Sequence, residues 1–130
     1  MRTQYHFWPA DQGFDAWDVA RLIRLTADFP VVEVPLASIT EVDTVYWFHG
    51  GDADLPTVRA IVGHIRMIQA VDPSPPVILG SDGRVMDGMH RIARAMVDGR
   101  TTIAAVRFAT DPEPDYRNCR PEQLPYPDDA

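Results

Sequence analysis

At 130 residues the chain has room for one domain, which buries roughly two-thirds of its unfolded surface. Hydrophobic residues make up 45% of it, which excludes a disordered chain, and a net charge of -7 argues against a general DNA or RNA binder with its basic face. All twelve basic residues are arginine, so a P-loop lysine, a Schiff-base lysine and a Ser-Lys dyad are excluded together. The single cysteine, Cys119, excludes an internal disulfide framework. No apolar run is long enough to span a membrane and no signal-peptide pattern opens the chain, so a cytoplasmic protein is the expectation.

The chain divides into an N-terminal extension with a helix (residues 1–30), a core (31–109) and a Pro-rich acidic tail (110–130), all within one domain. Met1 to Gly13 reads as aromatic and irregular. Asp15 to Thr26 reads as a helix, with Ala16, Val19, Ala20 and Ile23 on one stripe and Trp17 and Leu22 beside it. Large aromatics are usually core, and a partner-binding surface is the alternative for Trp8, Phe14 and Trp17. Val31 to Ile39 reads as the first core strand. In Thr40 to His49, Glu41 and Asp43 lie two apart, so an extended segment would turn both carboxylates the same way, as base and magnesium ligand or simply into solvent. Tyr46-Trp47-Phe48 suits the core better than stacking on a base, and Gly50-Gly51 makes a candidate lid hinge.

Asp54-Leu55-Pro56-Thr57 opens a second helix whose Val58, Ile61, Val62, Ile65 and Ile68 form a stripe expected to be buried, with Arg59, Gly63 and Arg66 opposite and His64 on the flank. Asp72 to Pro76 then breaks the chain. Val77-Ile78-Leu79 is a strand, Gly80-Ser81-Asp82-Gly83 a hairpin turn and Arg84-Val85-Met86 the return strand. A helix follows from Met89 to Asp98, with Met89, Ile92, Ala93, Met96 and Val97 on one face. Gly99 ends it as a left-handed cap, and Thr101 to Phe108 is another strand. The tail carries five prolines and cannot be a regular helix; Tyr116, Leu124 and Tyr126 are placed to pin it to the domain. The expected architecture is α+β, a small mixed β-sheet packed with about three helices.

The chemistry concentrates at Asp87-Gly88-Met89-His90-Arg91. The first N–H groups of a helix lack internal partners and its dipole is positive there, so this junction is a ready anion site. Gly88 admits a phosphate close to the backbone, while His90 and Arg91 add donors. Asp87 could cap the helix, hold a ribose hydroxyl or share a metal ion with the phosphate. The plainer reading is a cap, a turn glycine and a surface arginine. The four histidines and Cys119 show no zinc-ligand spacing, and neither a Gly-x-Ser-x-Gly elbow nor a Gly-x-Gly-x-x-Gly fingerprint occurs.

This motif, lying between a short strand and a helix and following Pro75-Pro76-Val77-Ile78-Leu79, resembles the ParB N-terminal/sulfiredoxin-like superfamily of chromosome-partition proteins, sulfiredoxins and free-serine kinases. The resemblance covers about Val31 to Phe108, since Val32 to Ile39 looks like the family's opening strand. It implies nucleotide phosphates held at Gly88, Met89, His90 and Arg91, with ATP or CTP as ligand and Mg2+ as companion. Met89 stands where sulfiredoxins need a cysteine, and a thioether cannot serve as a thiolate, so sulfiredoxin chemistry is excluded. The free-serine-kinase branch is most similar in motif; its base is a glutamate shortly after the first strand, a place Glu41 occupies. The resemblance thus implies a small nucleotide-dependent phosphotransferase or hydrolase with Glu41 and Asp87 as catalytic candidates. The alternative is a non-catalytic nucleotide-sensing or protein-interaction module. A DNA-associated nuclease or partition role comes third, opposed by charge.

Overall fold

The computed structural model describes residues 4–48 and 55–126. Within them the elements run β1 (Tyr5–Ala10), β2 (Gly13–Asp18), α1 (Val19–Leu25), β3 (Val32–Pro35), α2 (Val58–Ala70), β4 (Val77–Leu79), β5 (Val85–Asp87), α3 (Met89–Val97), β6 (Thr102–Arg107) and β7 (Tyr116–Cys119). The class is α+β, as the sequence leads one to expect. No helix among the described residues is long and apolar enough to cross a membrane.

The core is a four-stranded mixed sheet in the order β3-β6-β4-β5, with β4 and β6 parallel and the other pairs antiparallel. Local chemistry builds it. The β4–β5 turn closes through Gly80 N–H to the Arg84 carbonyl (2.8 Å), and Asp82 accepts from the Arg84 N–H at 3.0 Å. α3 then carries the chain over the sheet so that β6 returns parallel to β4. Its end is a left-handed Gly99 with the Arg100 N–H bonded to the Ala95 carbonyl and the Gly99 N–H to that of Met96.

Alternation along the strands loads both faces of this sheet. Val77, Leu79, Val85, Ile103 and Ala105 pack against Met89, Ile92 and Ala95 of α3. Ile78, Met86, Val106 and Phe108 face the other way, onto Trp17 and Leu22. The buried line of α3 therefore differs from the expected face: Ala95 is inside, while Met96 and Val97 are exposed. Only the line of residues three apart meets the sheet.

A second sheet, β1-β2-β7, has no counterpart in the sequence reading. Residues 5–10 are a strand rather than irregular, and 13–18 are its antiparallel partner rather than the start of a helix. The helix begins only at Val19, where the Asp18 carboxylate accepts from the Ala20 N–H at 2.9 Å. The physical reason lies far along the chain: β7 pairs with β2, and the tail is tied down further by Trp17 Nε1 to the Pro112 carbonyl (2.8 Å) and Arg21 to that of Glu113 (2.9 Å). Ala16 and Trp17, neighbours in sequence, are both buried because β2 lies between two apolar layers. Trp17 thereby leaves the candidate partner surface.

Three other expectations change. The first core strand ends at Pro35 and gives way to 3-10 turns at Leu36–Ser38 and Thr40–Asp43. Glu41 and Asp43 consequently do not share a face: Glu41 turns inward and Asp43 is exposed. The stripe of α2 is not buried either; no residue of that helix is, and Val58 is 80% exposed. The Gly50-Gly51 hinge lies outside the described residues.

Candidate functional site

Asp87 closes β5, and Gly88 turns the chain into α3 with φ 110° and ψ 21°, a left-handed conformation open to glycine. Space makes the same demand. A Cβ on Gly88 would lie 2.7 Å from Val77 Cγ1 and 2.8 Å from Arg91 Nη2. No side chain caps α3, so the site keeps the uncapped helix start that attracts an anion.

That start opens into a pocket of about 670 Å³, a size typical of small-molecule sites. Gly88, Met89 and His90 form one wall, Glu41, Tyr46 and Trp47 another, and His6 and Trp8 of β1 a third. The pocket thus lies where the two sheets and the segment after β3 converge. Among the described residues its charged lining groups are the carboxylates of Glu41 and Asp87, and no arginine lines it.

Arg91 is turned elsewhere. Its Nη2 binds Asp87 Oδ2 at 3.0 Å and the Pro76 carbonyl at 3.3 Å, and only 14% of its side chain is exposed. In this position it braces the β5–α3 junction and offsets the Asp87 charge.

Glu41 reaches the pocket from its 3-10 turn, and its Oε1 accepts the Val85 N–H in a short bond. The Tyr46 hydroxyl donates to the Val85 carbonyl at 3.2 Å. β5 is an edge strand, so these two side chains occupy backbone groups that a further strand would otherwise take. Burial raises the Glu41 carboxyl above its ordinary value, an effect the Val85 bond partly offsets. The Tyr46 phenol is likewise pushed up, by burial first and then by Glu41 and Asp87.

His90 meets His64 of α2, with Nε2 of the first 2.9 Å from Nδ1 of the second. The Trp47 indole stacks on both rings, at 4.4 Å from His64 and 4.7 Å from His90. Burial, then the neighbouring imidazole, lowers the His90 pKa to about 4, so His90 is neutral at pH 7 and one ring N–H is shared across the pair. His6 is also held neutral, its pKa lowered to about 4 by burial and by Arg84. Its Nε2 is buried with no hydrogen-bond partner among the described residues.

Of the residues singled out in the sequence, Glu41, Asp87, Gly88, Met89 and His90 come together around one pocket and Arg91 stands behind them. Sequence reasoning weighed Trp8 as core or partner surface, His64 as a flanking residue and the histidines as zinc ligands, and placed none of His6, Trp8 and His64 at this pocket. His64 and His90 are 26 residues apart on different helices, a separation that carries no local signal. Among the described residues no group of three or more His, Cys, Asp or Glu is arranged to hold a metal ion.

These features define a small α+β domain with one wall of its ligand-sized pocket formed by a helix start. The chain matches no protein-family model, no curated protein and no solved structure.

Proposed function

We propose that the protein binds a magnesium-complexed nucleotide, ATP or CTP, or a related phosphate-bearing small molecule, and acts as a small phosphotransferase or hydrolase of the ParB/sulfiredoxin-like type. The observation that carries this reading is the uncapped start of α3, which opens through the left-handed Gly88 into an aromatic-walled pocket. A phosphate there would take the N–H groups of the first helical turn, with Trp8 or Trp47 flanking the base. The lining chemistry favours the magnesium complex over the bare anion, because Glu41 and Asp87 would repel an unneutralised phosphate. Mg2+ is commonly held by one or two carboxylates together with substrate phosphates, and Asp87 fits that pattern. Glu41, whose carboxylate is made a stronger proton acceptor by burial, is the candidate base, and Asp87, oriented by Arg91, the candidate metal holder.

A second reading is favoured by a specific observation. Glu41 is bound to the Val85 N–H and Asp87 to Arg91, so both candidate catalytic groups already serve the fold. In that case the pocket senses a nucleotide without turning it over.

Thermal denaturation with ATP, ADP, CTP and GTP, each with Mg2+ and with EDTA, tests the proposal. A ligand binding only the folded state at a hundred times its dissociation constant adds about 2.7 kcal/mol. Stabilisation by one nucleotide that disappears in EDTA is expected. No stabilisation by any nucleotide would refute it, and stabilisation without turnover would select the sensing reading.

A further inference from the structure

α2 is built as an amphipathic helix yet is not seated by its apolar side. Val58, Ile61, Val62 and Ile65 lie within one arc of the helix, and they are 80, 44, 39 and 45% exposed. What holds the helix is its other edge: His64 against His90 and Trp47, and Arg94 of α3 donating to the Gln69 carbonyl at 2.9 Å. The described fold therefore anchors α2 by polar and aromatic contacts and leaves Val58 mostly, and Ile61, Val62 and Ile65 partly, in water. Single exposed apolar residues are ordinary, but a contiguous row on one helix marks an interaction surface.

Residues 49–54 and 127–130 contain no apolar side chain larger than alanine or proline, and residues 1–3 contribute only Met1.

Charge identifies the occupant. α2 contains no acidic residue, although the whole chain carries nineteen against twelve arginines. Arg59 and Arg66, seven residues apart, border the apolar row on one side rather than lying opposite it, are exposed, and make no ion pair among the described residues. Two copies of α2 packed antiparallel along this row would set one arginine flank against the other, which disfavours self-association. We propose that the Val58–Ile65 face of α2 is the docking surface for an acidic amphipathic helix of a partner protein, its apolar stripe on the isoleucines and its carboxylates on Arg59 and Arg66.

The probe is a fluorescently labelled 21-residue amphipathic peptide with a leucine stripe flanked by glutamates, compared by anisotropy with the same peptide carrying lysines. The glutamate peptide is expected to bind at least tenfold tighter, with affinity falling as salt rises. Arg59→Glu with Arg66→Glu should reverse the preference. Ile61→Ser with Ile65→Ser should abolish binding while leaving the urea midpoint within a few tenths of a molar of wild type, because both side chains are already exposed. Equal or absent binding of the two peptides overturns the proposal. So does a sedimenting dimer that the serine variant dissolves, or binding to phosphatidylserine vesicles in place of the acidic peptide.

Discussion

Gly88→Ala is the most informative single change at the β5–α3 junction. Two independent costs apply. A residue with a Cβ at φ 110° costs about 1–3 kcal/mol in backbone strain. The new methyl would also sit 2.7 Å from Val77 Cγ1, in the fully buried first layer of the core, and 2.8 Å from the guanidinium that braces Asp87. Overpacking of this kind costs about 1–3 kcal/mol more. The total is about 2–6 kcal/mol, a large share of a domain's stability. Gly83 separates the two terms, for it has φ 89° but nothing within 4 Å of its Cβ position, so Gly83→Ala carries the backbone cost alone. Gly63, in mid-helix with open space around it, should gain about 0.5–1 kcal/mol on becoming alanine. Urea denaturation of the three variants, read as midpoint shifts at constant slope, gives the ordering directly. If Gly88→Ala costs no more than Gly83→Ala, the close packing argued for this junction is wrong.

Two further predictions concern pH. His6, with its pKa held near 4, stays neutral in the folded state while an unfolded histidine takes up a proton below about 6.5. Stability should therefore fall as pH drops from about 6.5 towards 4, with His6 contributing about 3 kcal/mol as an upper limit. Urea midpoints between pH 4.5 and 7.5 should show this slope, and it should flatten in His6→Gln; an unchanged slope in that variant would remove His6 as its source. The Glu41 carboxyl shifts the opposite way, its folded pKa raised mainly by burial, so ionisation opposes folding at neutral pH. Glu41→Gln, which can still accept the Val85 N–H, should be at least as stable as wild type at pH 7, the difference vanishing in acid. A clear loss of stability at pH 7 would show the charge itself to be needed by the fold.

The central unit from Val77 to Arg107 is legible in the sequence because each of its junctions is decided within a few residues. Asp82-Gly83 turns the hairpin, Gly88 admits the left-handed step, and Gly99 closes the helix. The candidate site at the start of α3 is read with it, along with Glu41 on the opposing wall. The second sheet is not legible. Val19, Ala20 and Ile23 do lie in a helix, but Ala16, at the same spacing, belongs to β2, which is held extended between β1 and a strand, β7, that lies a hundred residues away. Arg91 shows the same limit at the level of one side chain: its place after a glycine turn suggests a phosphate ligand, but the folded chain offers its guanidinium the Asp87 carboxylate and the Pro76 carbonyl instead.

Composition and local pattern thus determined the α+β class, the hairpin–helix–strand unit and the location of an anion-attracting helix start, since turns, caps and periodicity act over neighbouring residues. Tertiary structure alone decided three things: that extension and tail join in one sheet, that His64, His90 and Trp47 stack beside the pocket, and that the apolar row of α2 faces outward. Amphipathic spacing states that a face is apolar. Only the packing of distant segments states what, within the chain, is there to cover it.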